Sequence, residues 1–458
     1  MNIPRQYFTP TKQRNDIMKF DAYPFDMEKI PVLTETDVLV VGGGPGGLGA
    51  AVTAGRMGAK VLLAEREAGP GGMSVYGEVS PMMGNHHGGV PMDRPVFMDW
   101  MKKMWKYRTK EMHAKCKEKE EFNIAIDPPQ RIISKEMSLL AMEELLLEAN
   151  VELLYHHTLV GAEVEEDKIL SAVFYSKSGF CRIRAKHFID CTGDGDLAAF
   201  AGCEFEEGNE KGYCQPMTLC FKLGAVDLDR IPSREEINAL YDRAKEEGRI
   251  HCPRENVLFF NALPERTLHF NTTRIIHKSG VKGKDLSDAE IEGRKQMREI
   301  YEFFKTTVPG FENCYISSIA AKTGVRESRR IRGKVYQTSD DFFNQTHYPD
   351  GIARMRYMLD IHNPDGSGTL TNVMPQETWY EIRYGALLPE GCRNLIMGCR
   401  AISCDHALFS SVRVMPQVCS LGQAAGMASS MALKKGVAMA ELSGEEVREE
   451  LKKFGAFL

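Results

Sequence analysis

The sequence predicts an α/β fold: a Rossmann-like domain whose parallel sheet carries an antiparallel ribbon, joined to a second domain of mixed α+β character. Three observations predict it. An apolar strand over residues 36–41 enters the turn Gly42-Gly43-Gly44-Pro45-Gly46-Gly47, and a second strand over 60–64 ends on Glu65. Short apolar segments over 151–185 read as a strand meander. From residue 206 to about 385, helix-start signals interleave with strands, and then a strand and helix in the opening style return.

Each part of the first unit has a physical job. Gly42 lets the chain turn sharply, and Gly44, before Pro45, has no side chain to keep a pyrophosphate from the backbone. Gly47, Ala51 and Gly58 let the intervening helix lie close to the strands. The helix N-terminus offers free N–H groups and a positive dipole end to phosphates. Glu65 stands where a carboxylate accepts both hydroxyls of an adenosine ribose. A bare glycine-rich turn leaves Glu65 and the full spacing unexplained, so the unit reads as nucleotide-binding.

Along the chain, residues 1–34 form an irregular arm, 35–205 and 386–440 the two parts of the nucleotide domain, 206–385 a substrate-covering domain, and 441–458 a closing helix. Residues 67–95 make a long Gly-, Pro- and Met-rich loop with Gly71-Gly72-Met73 and the pair His86-His87, and long loops of this kind are usually functional. Residues 96–121 read as a charged helix whose bases are interleaved with acids, a solvated face rather than a nucleic-acid patch. A helix is expected over 135–149, strands over 151–155, 158–164, 169–175 and 180–185, and a further strand from His187 into the turn Thr192-Gly193-Asp194-Gly195. Capping boxes at Ser233, Ser287 and Ser443 mark three more helix starts. Strands over 257–263 and 267–276 would put His269, Asn271 and Thr273 on one face. The last strand, 395–398, leads through an irregular loop to a helix over 422–433.

With 458 residues the chain can bury a large core, and its net charge of -5 gives no field toward nucleic acid or anionic membrane. No apolar run is long enough to span a bilayer, and residues 1–30 lack a signal-peptide core, so the expected location is cytoplasmic. The 12 cysteines include no C-x-x-C pair, which fits reduced core thiols and no metal or cluster.

Four segments together resemble one family. They are the glycine-rich opening, Gly71-Gly72, Cys191-Thr192-Gly193-Asp194-Gly195-Asp196, and the stretch from Gly398-Cys399-Arg400 through His406 and Arg413 to Leu421-Gly422-Gln423-Ala424-Ala425-Gly426. They are similar to the FAD-dependent oxidoreductases of the glutathione-reductase-like fold. The nearer subgroup includes flavoprotein subunits of heterodisulfide reductases and, remotely, fumarate reductases. The run from Gly324 to Gly333 and Asp360-Ile361-His362-Asn363-Pro364 resemble that subgroup too. The resemblance implies FAD as cofactor, with the first turn on the pyrophosphate, Glu65 on the ribose and Arg66 near the adenine. It also implies contacts from Gly72, Met73, Val160, Thr192, Gly193, Asp194 and Arg400. The N-terminus of the helix at Gly422 and Gln423 would face the flavin pyrimidine edge, where reduced flavin is anionic. Cys399 interrupts the family's usual small residue and reads as core packing.

Flavin oxidation of a C–H bond needs a base for the substrate's hydroxyl or amine proton. His406, in the irregular loop beside Asp405, is the candidate base, since imidazole titrates in a useful range. Arg413 and Arg326 are candidates to orient a substrate carboxylate, Arg326 lying with Arg329 and Arg330 on one expected helical turn. His86, His87, Asn271 and Thr273 are candidate pocket walls. No second G-x-G-x-x-G follows a strand, so a tight nicotinamide site is not expected and the electron donor or acceptor stays open. The expectation is a dehydrogenase or oxidase of a small polar hydroxyl- or carboxylate-bearing molecule. The alternatives are a fumarate-reductase-like reductase of an activated double bond, and a flavoprotein subunit that passes electrons to a partner or works on RNA. A homo-oligomer is the default assembly.

Overall fold

Strand and helix periods decide the layers. The computed structural model describes residues 18–19, 25–80, 82–87, 90–107 and 133–458. Most of the expected arm, and residues 108–121 of the expected charged helix, lie outside them. Its described part is a helix over Val96–Trp105.

Seven strands form the main sheet. Glu152–Leu154, Val61–Ala64, Val32–Val41 and Gly179–Asp190 run side by side in parallel, and the ribbon Lys168–Ser176 and Thr158–Glu165 continues the sheet antiparallel. The strands expected at 180–185 and from His187 are one strand, Gly179–Asp190. Its first half pairs with the ribbon, and its second half pairs in parallel with Leu395–Met397. The central strands are apolar on both faces, as a parallel sheet covered by helices requires.

Two helices cover one face at unusually close range. Pro45–Arg56 follows the glycine-rich turn, and Met415–Lys435 crosses it. A Cβ on Gly422 would collide with the Gly46 carbonyl, and one on Gly426 with the Ala50 carbonyl, so only hydrogen fits at these crossings. This corrects the expectation of a helix start at Gly422. The helix starts at Met415, and Gly422 is a mid-helix packing residue.

A second core packs a four-stranded antiparallel sheet, in the order Phe259–Ala262, Thr267–Phe270, Phe221–Gly224, Tyr315–Ile319, against the helices Arg234–Glu246 and Gly283–Thr307. Phe221 and Phe270 stack at 4.9 Å within it. Residues 342–388 instead pack into the first core. The capping box at Ser233 is present, whereas Ser287 lies inside the helix Gly283–Thr307 and caps nothing. No helix among the described residues is long and apolar enough to cross a membrane.

The sheet of the second core is tied to the 67–95 loop by buried charge. Glu78 meets Lys135 at 2.8 Å and Lys222 at 3.0 Å, and its carbonyl meets His269 Nε2 at 2.8 Å. Burial, and then Lys222, push the His269 imidazole down to about 4. The unfolded chain protonates this histidine below about 6.5, so the folded state loses stability as pH falls from there toward 4. His269→Gln is expected to narrow its stability gap from the unsubstituted protein as pH drops from 7 to 5, read from urea midpoints at each pH. A gap that stays constant would show that His269 does not titrate on unfolding.

Candidate cofactor cradle and arginine-lined site

The cradle is assembled where four strand ends meet. Gly42 takes φ +102° at the end of the first strand, and a Cβ there would strike the Cys191 carbonyl. Gly44 caps the helix Pro45–Arg56, Pro45 occupies its first turn, and a Cβ on Gly44 would meet only Gly72 Cα, at 3.8 Å. That backbone is open to a phosphate, and the first-turn N–H groups have no intrahelical acceptors. Gly47 packs on the Gly42 carbonyl. Glu65 is buried; one oxygen accepts from Gly43 N at 2.5 Å and the other from Glu67 N at 3.0 Å. A carboxylate has about four acceptor positions, so capacity remains for two ribose hydroxyls. Arg66 is exposed at the rim beside Glu67.

The opposite wall is the turn after Gly179–Asp190. Asp190, fully buried, accepts from Thr192 N, Thr192 Oγ1 and Ala198 N, and Thr192 Oγ1 accepts in turn from the backbone of Asp194 and Asp196. Gly193 takes φ +83° facing the Arg400 guanidinium. Asp194 Oδ1 accepts from Arg400 at 3.0 Å and from Ser328 Oγ at 2.7 Å. Arg400 Nε is buried with no hydrogen-bond partner, a donor left for a group in the cradle. Gly72, at φ +51°, comes close to Gly44, and Met73 Sδ lies within 3.9 Å of a Cβ built on Gly324. Val160 is the extra residue at a register shift in the ribbon. These residues fit FAD: an open backbone at a helix N-terminus, a buried carboxylate with spare acceptor capacity just past the end of the next strand, and an unsatisfied arginine donor. Gln423 does not join them. Its amide spans Arg94 O at 2.9 Å and Val96 N at 3.3 Å, so it braces the start of Val96–Trp105.

Segment 326–331 leads from the cradle to a second cluster. It is not the helical turn expected from sequence: Arg329–Ile331 is a short strand, and Arg326 precedes it in a loop. Ser328 and Arg329 hold Asp194, while Arg326 donates to Pro216 O, Thr218 Oγ1 and Asn271 Oδ1 at 2.7, 2.5 and 3.3 Å. Burial, then Arg413 and Arg254, push the Arg326 guanidinium down to about 9. Arg413 pairs with Asp360 at 3.1 Å. His362 Nε2 lies 3.3 Å from Asp360, and its Nδ1 faces Arg274 and Thr369. Burial and Arg326 push His362 down to about 3, which keeps it neutral, and Asp360 is held below the usual carboxylate range by His362 and Arg413 against the effect of burial.

His406 is the first residue of the helix His406–Val412 rather than part of an irregular loop, and Asp405 caps that helix through Leu408 N. Its Nδ1 lies 2.8 Å from Glu327, a fully buried carboxylate that also takes Arg330 at 2.5 Å and Gln215 N at 3.0 Å. Burial works to raise Glu327, but His406 and Arg330 outweigh it and leave it below the ordinary glutamate range. An ionised partner at Nδ1 fixes the proton there and leaves Nε2 as the basic nitrogen. Sequence reasoning gave Glu327 no role, because its partner lies 79 residues away.

The remaining expected pocket walls part company. Asn271 belongs to the cluster through Arg326. Thr273 does not: it is fully buried, and its hydroxyl accepts from Leu219 N and spends its one proton on Leu219 O, so it offers a substrate no donor. The expected face fails because the strand ends at Phe270. His86 and His87 form a two-residue strand, with His87 edge-on to Trp379 at 4.7 Å and 3.3 Å from Glu377. Cys399 is buried.

A family model described as FAD dependent oxidoreductase matches residues 37–451. Similar solved structures include a geranylgeranyl bacteriochlorophyll reductase-like protein from Thermoplasma acidophilum, 13% identical over 92% of this chain and 84% of that one, with a TM-score of 0.44. Another is a myxobacterial chondrochloren halogenase, 12% identical over 92% and 79%, with a TM-score of 0.44. A third is a p-nitrophenol 4-monooxygenase from Pseudomonas putida, 16% identical over 66% and 70%, with a TM-score of 0.37. No curated protein sequence matches the chain. A match running from the first strand into the closing helix, on a chain whose cradle fits the cofactor, places this protein in the FAD-dependent oxidoreductase family.

Proposed function

We propose that this oxidoreductase acts as a dehydrogenase or oxidase on a small polar molecule bearing a hydroxyl and a carboxylate, with residues 206–385 contributing the substrate side of the site. The observation that carries the reading is a base with a fixed tautomer, His406 on Glu327, beside two partly buried arginines, Arg413, which meets the carboxylate of Asp360, and Arg326, which donates to neutral oxygens. Bound FAD supplies the two-electron acceptor for the substrate's C–H hydride. His406 Nε2 takes the hydroxyl proton, and Glu327 stabilises the imidazolium that results. Arg413 and Arg326 hold the carboxylate by charge-assisted hydrogen bonds in a site largely closed to water.

The test is dye reduction by the FAD-loaded protein against a panel of 2- and 3-hydroxy acids. A substrate found this way should lose turnover in both His406→Ala and Arg413→Ala, and full turnover in both would overturn the assignment. The depressed Arg326 favours a second reading, reduction of an activated double bond with Arg326 delivering the proton. Oxidation of a reduced dye driven by an alkenoic acid, and lost in Arg326→Gln, would select it.

A further inference from the structure

Arg254 stands out among the buried side chains. It is 5% exposed, and its Nε has no hydrogen-bond partner. Among the described residues no carboxylate meets its guanidinium. The adjacent acid, Glu255, is already engaged by Arg274 at 2.6 Å, Gly368 N at 3.1 Å and Thr369 at 3.3 Å. Glu255, next to Arg254 in the chain, leads into the cluster, because Arg274 meets Glu255 at 2.6 Å and His362 Nδ1 at 3.4 Å. The hydrogen bonds of Arg326 go to neutral oxygens, and Arg254 adds its charge against that guanidinium. The acid within reach, Asp360, is committed to Arg413 and His362. Beside the Arg274–Glu255 pair, the cluster therefore holds three arginines, Arg254, Arg326 and Arg413, against one free-standing carboxylate, Asp360, with the neutral His362 set between Asp360 and Arg274. A buried charge persists when it is paired or when a ligand pairs it.

We propose that Arg254 and Arg326 form a second anion subsite, so that the substrate is a dicarboxylate with one carboxylate on Arg413 and the other between Arg326 and Arg254. The proposal rests on the reading of His406 and Arg413 as the reacting end. It adds a residue that sets substrate class and does not touch the proton. Planar forked donors match a carboxylate at each end, and two negative charges balance the excess of the three arginines over Asp360.

Calorimetric titration of the FAD-loaded protein with malonate, succinate and acetate tests it. Either dicarboxylate should bind about tenfold or more tighter than acetate, the scale of one charge-assisted hydrogen-bonded contact. Arg254→Gln should erase that preference while leaving acetate binding, flavin content and thermal midpoint in place. Arg254→Lys, which keeps the charge and loses the fork, should keep part of the preference and serves if the glutamine variant does not fold. Equal binding of all three anions, or an undiminished preference in whichever variant folds, overturns the proposal. Acetate binding undiminished in Arg413→Ala would instead remove the underlying site reading, so the two failures are distinguishable.

Discussion

Arg330→Met is expected to cost the folded protein about 3–5 kcal/mol, the penalty for breaking a buried ion pair by removing one partner. Arg330 is 1% exposed and donates to Cys404 O, Glu327, Glu206 and Gly208 O. Glu206 retains Arg332 and Tyr336, so the uncompensated charge falls on Glu327. Methionine fills much of the volume, so the loss reads the charge rather than a cavity. The measurement is the urea midpoint of the FAD-free protein, which removes cofactor linkage from the comparison. A shift equivalent to less than about 1 kcal/mol, the worth of an exposed ion pair, would show that Glu327 is held without Arg330.

His406→Ala is expected to lower kcat by about 10²–10⁴-fold, the usual contribution of a positioned general base. KM should change little, because Arg413 and Arg326 carry binding in this reading. His406 is partly exposed and sits at a helix start, so the substitution removes little packing. Glu327→Gln should also slow turnover, since the amide no longer stabilises the imidazolium. A change confined to KM would recast His406 as a binding group.

The local and the periodic were legible before the fold was known. The strand, turn, helix, strand and acid from residue 36 to Glu65 lie within one unit, and each residue's job follows from its neighbours. What stayed hidden depends on contacts across the chain. Glu327 looks like one acid in a run of arginines until the fold brings His406 to it. Arg254 is unremarkable in sequence, because a missing partner shows only once its surroundings are packed. The helix Met415–Lys435 begins before the start expected at Gly422, because Gly422 and Gly426 are contact points for another helix, and nothing local to them shows that. Ser287 followed the capping pattern within a helix already under way, and two expected strands merged because nothing local separates residues 180–185 from His187.

The glycine-lined crossing of Pro45–Arg56 by Met415–Lys435 bears on the order of biosynthesis. A ribosome delivers the phosphate-facing turn early and the strand and helix that close over it late, and Gln423 meets Arg94 across 329 residues of chain. Until that later segment emerges, the first helix lacks its main packing partner and Asp194 has no Arg400. The nascent protein therefore carries an unfinished cofactor cradle while all the chain between these two segments is made, a span in which chaperone occupancy of the first helix, rather than early flavin capture, would guard the chain.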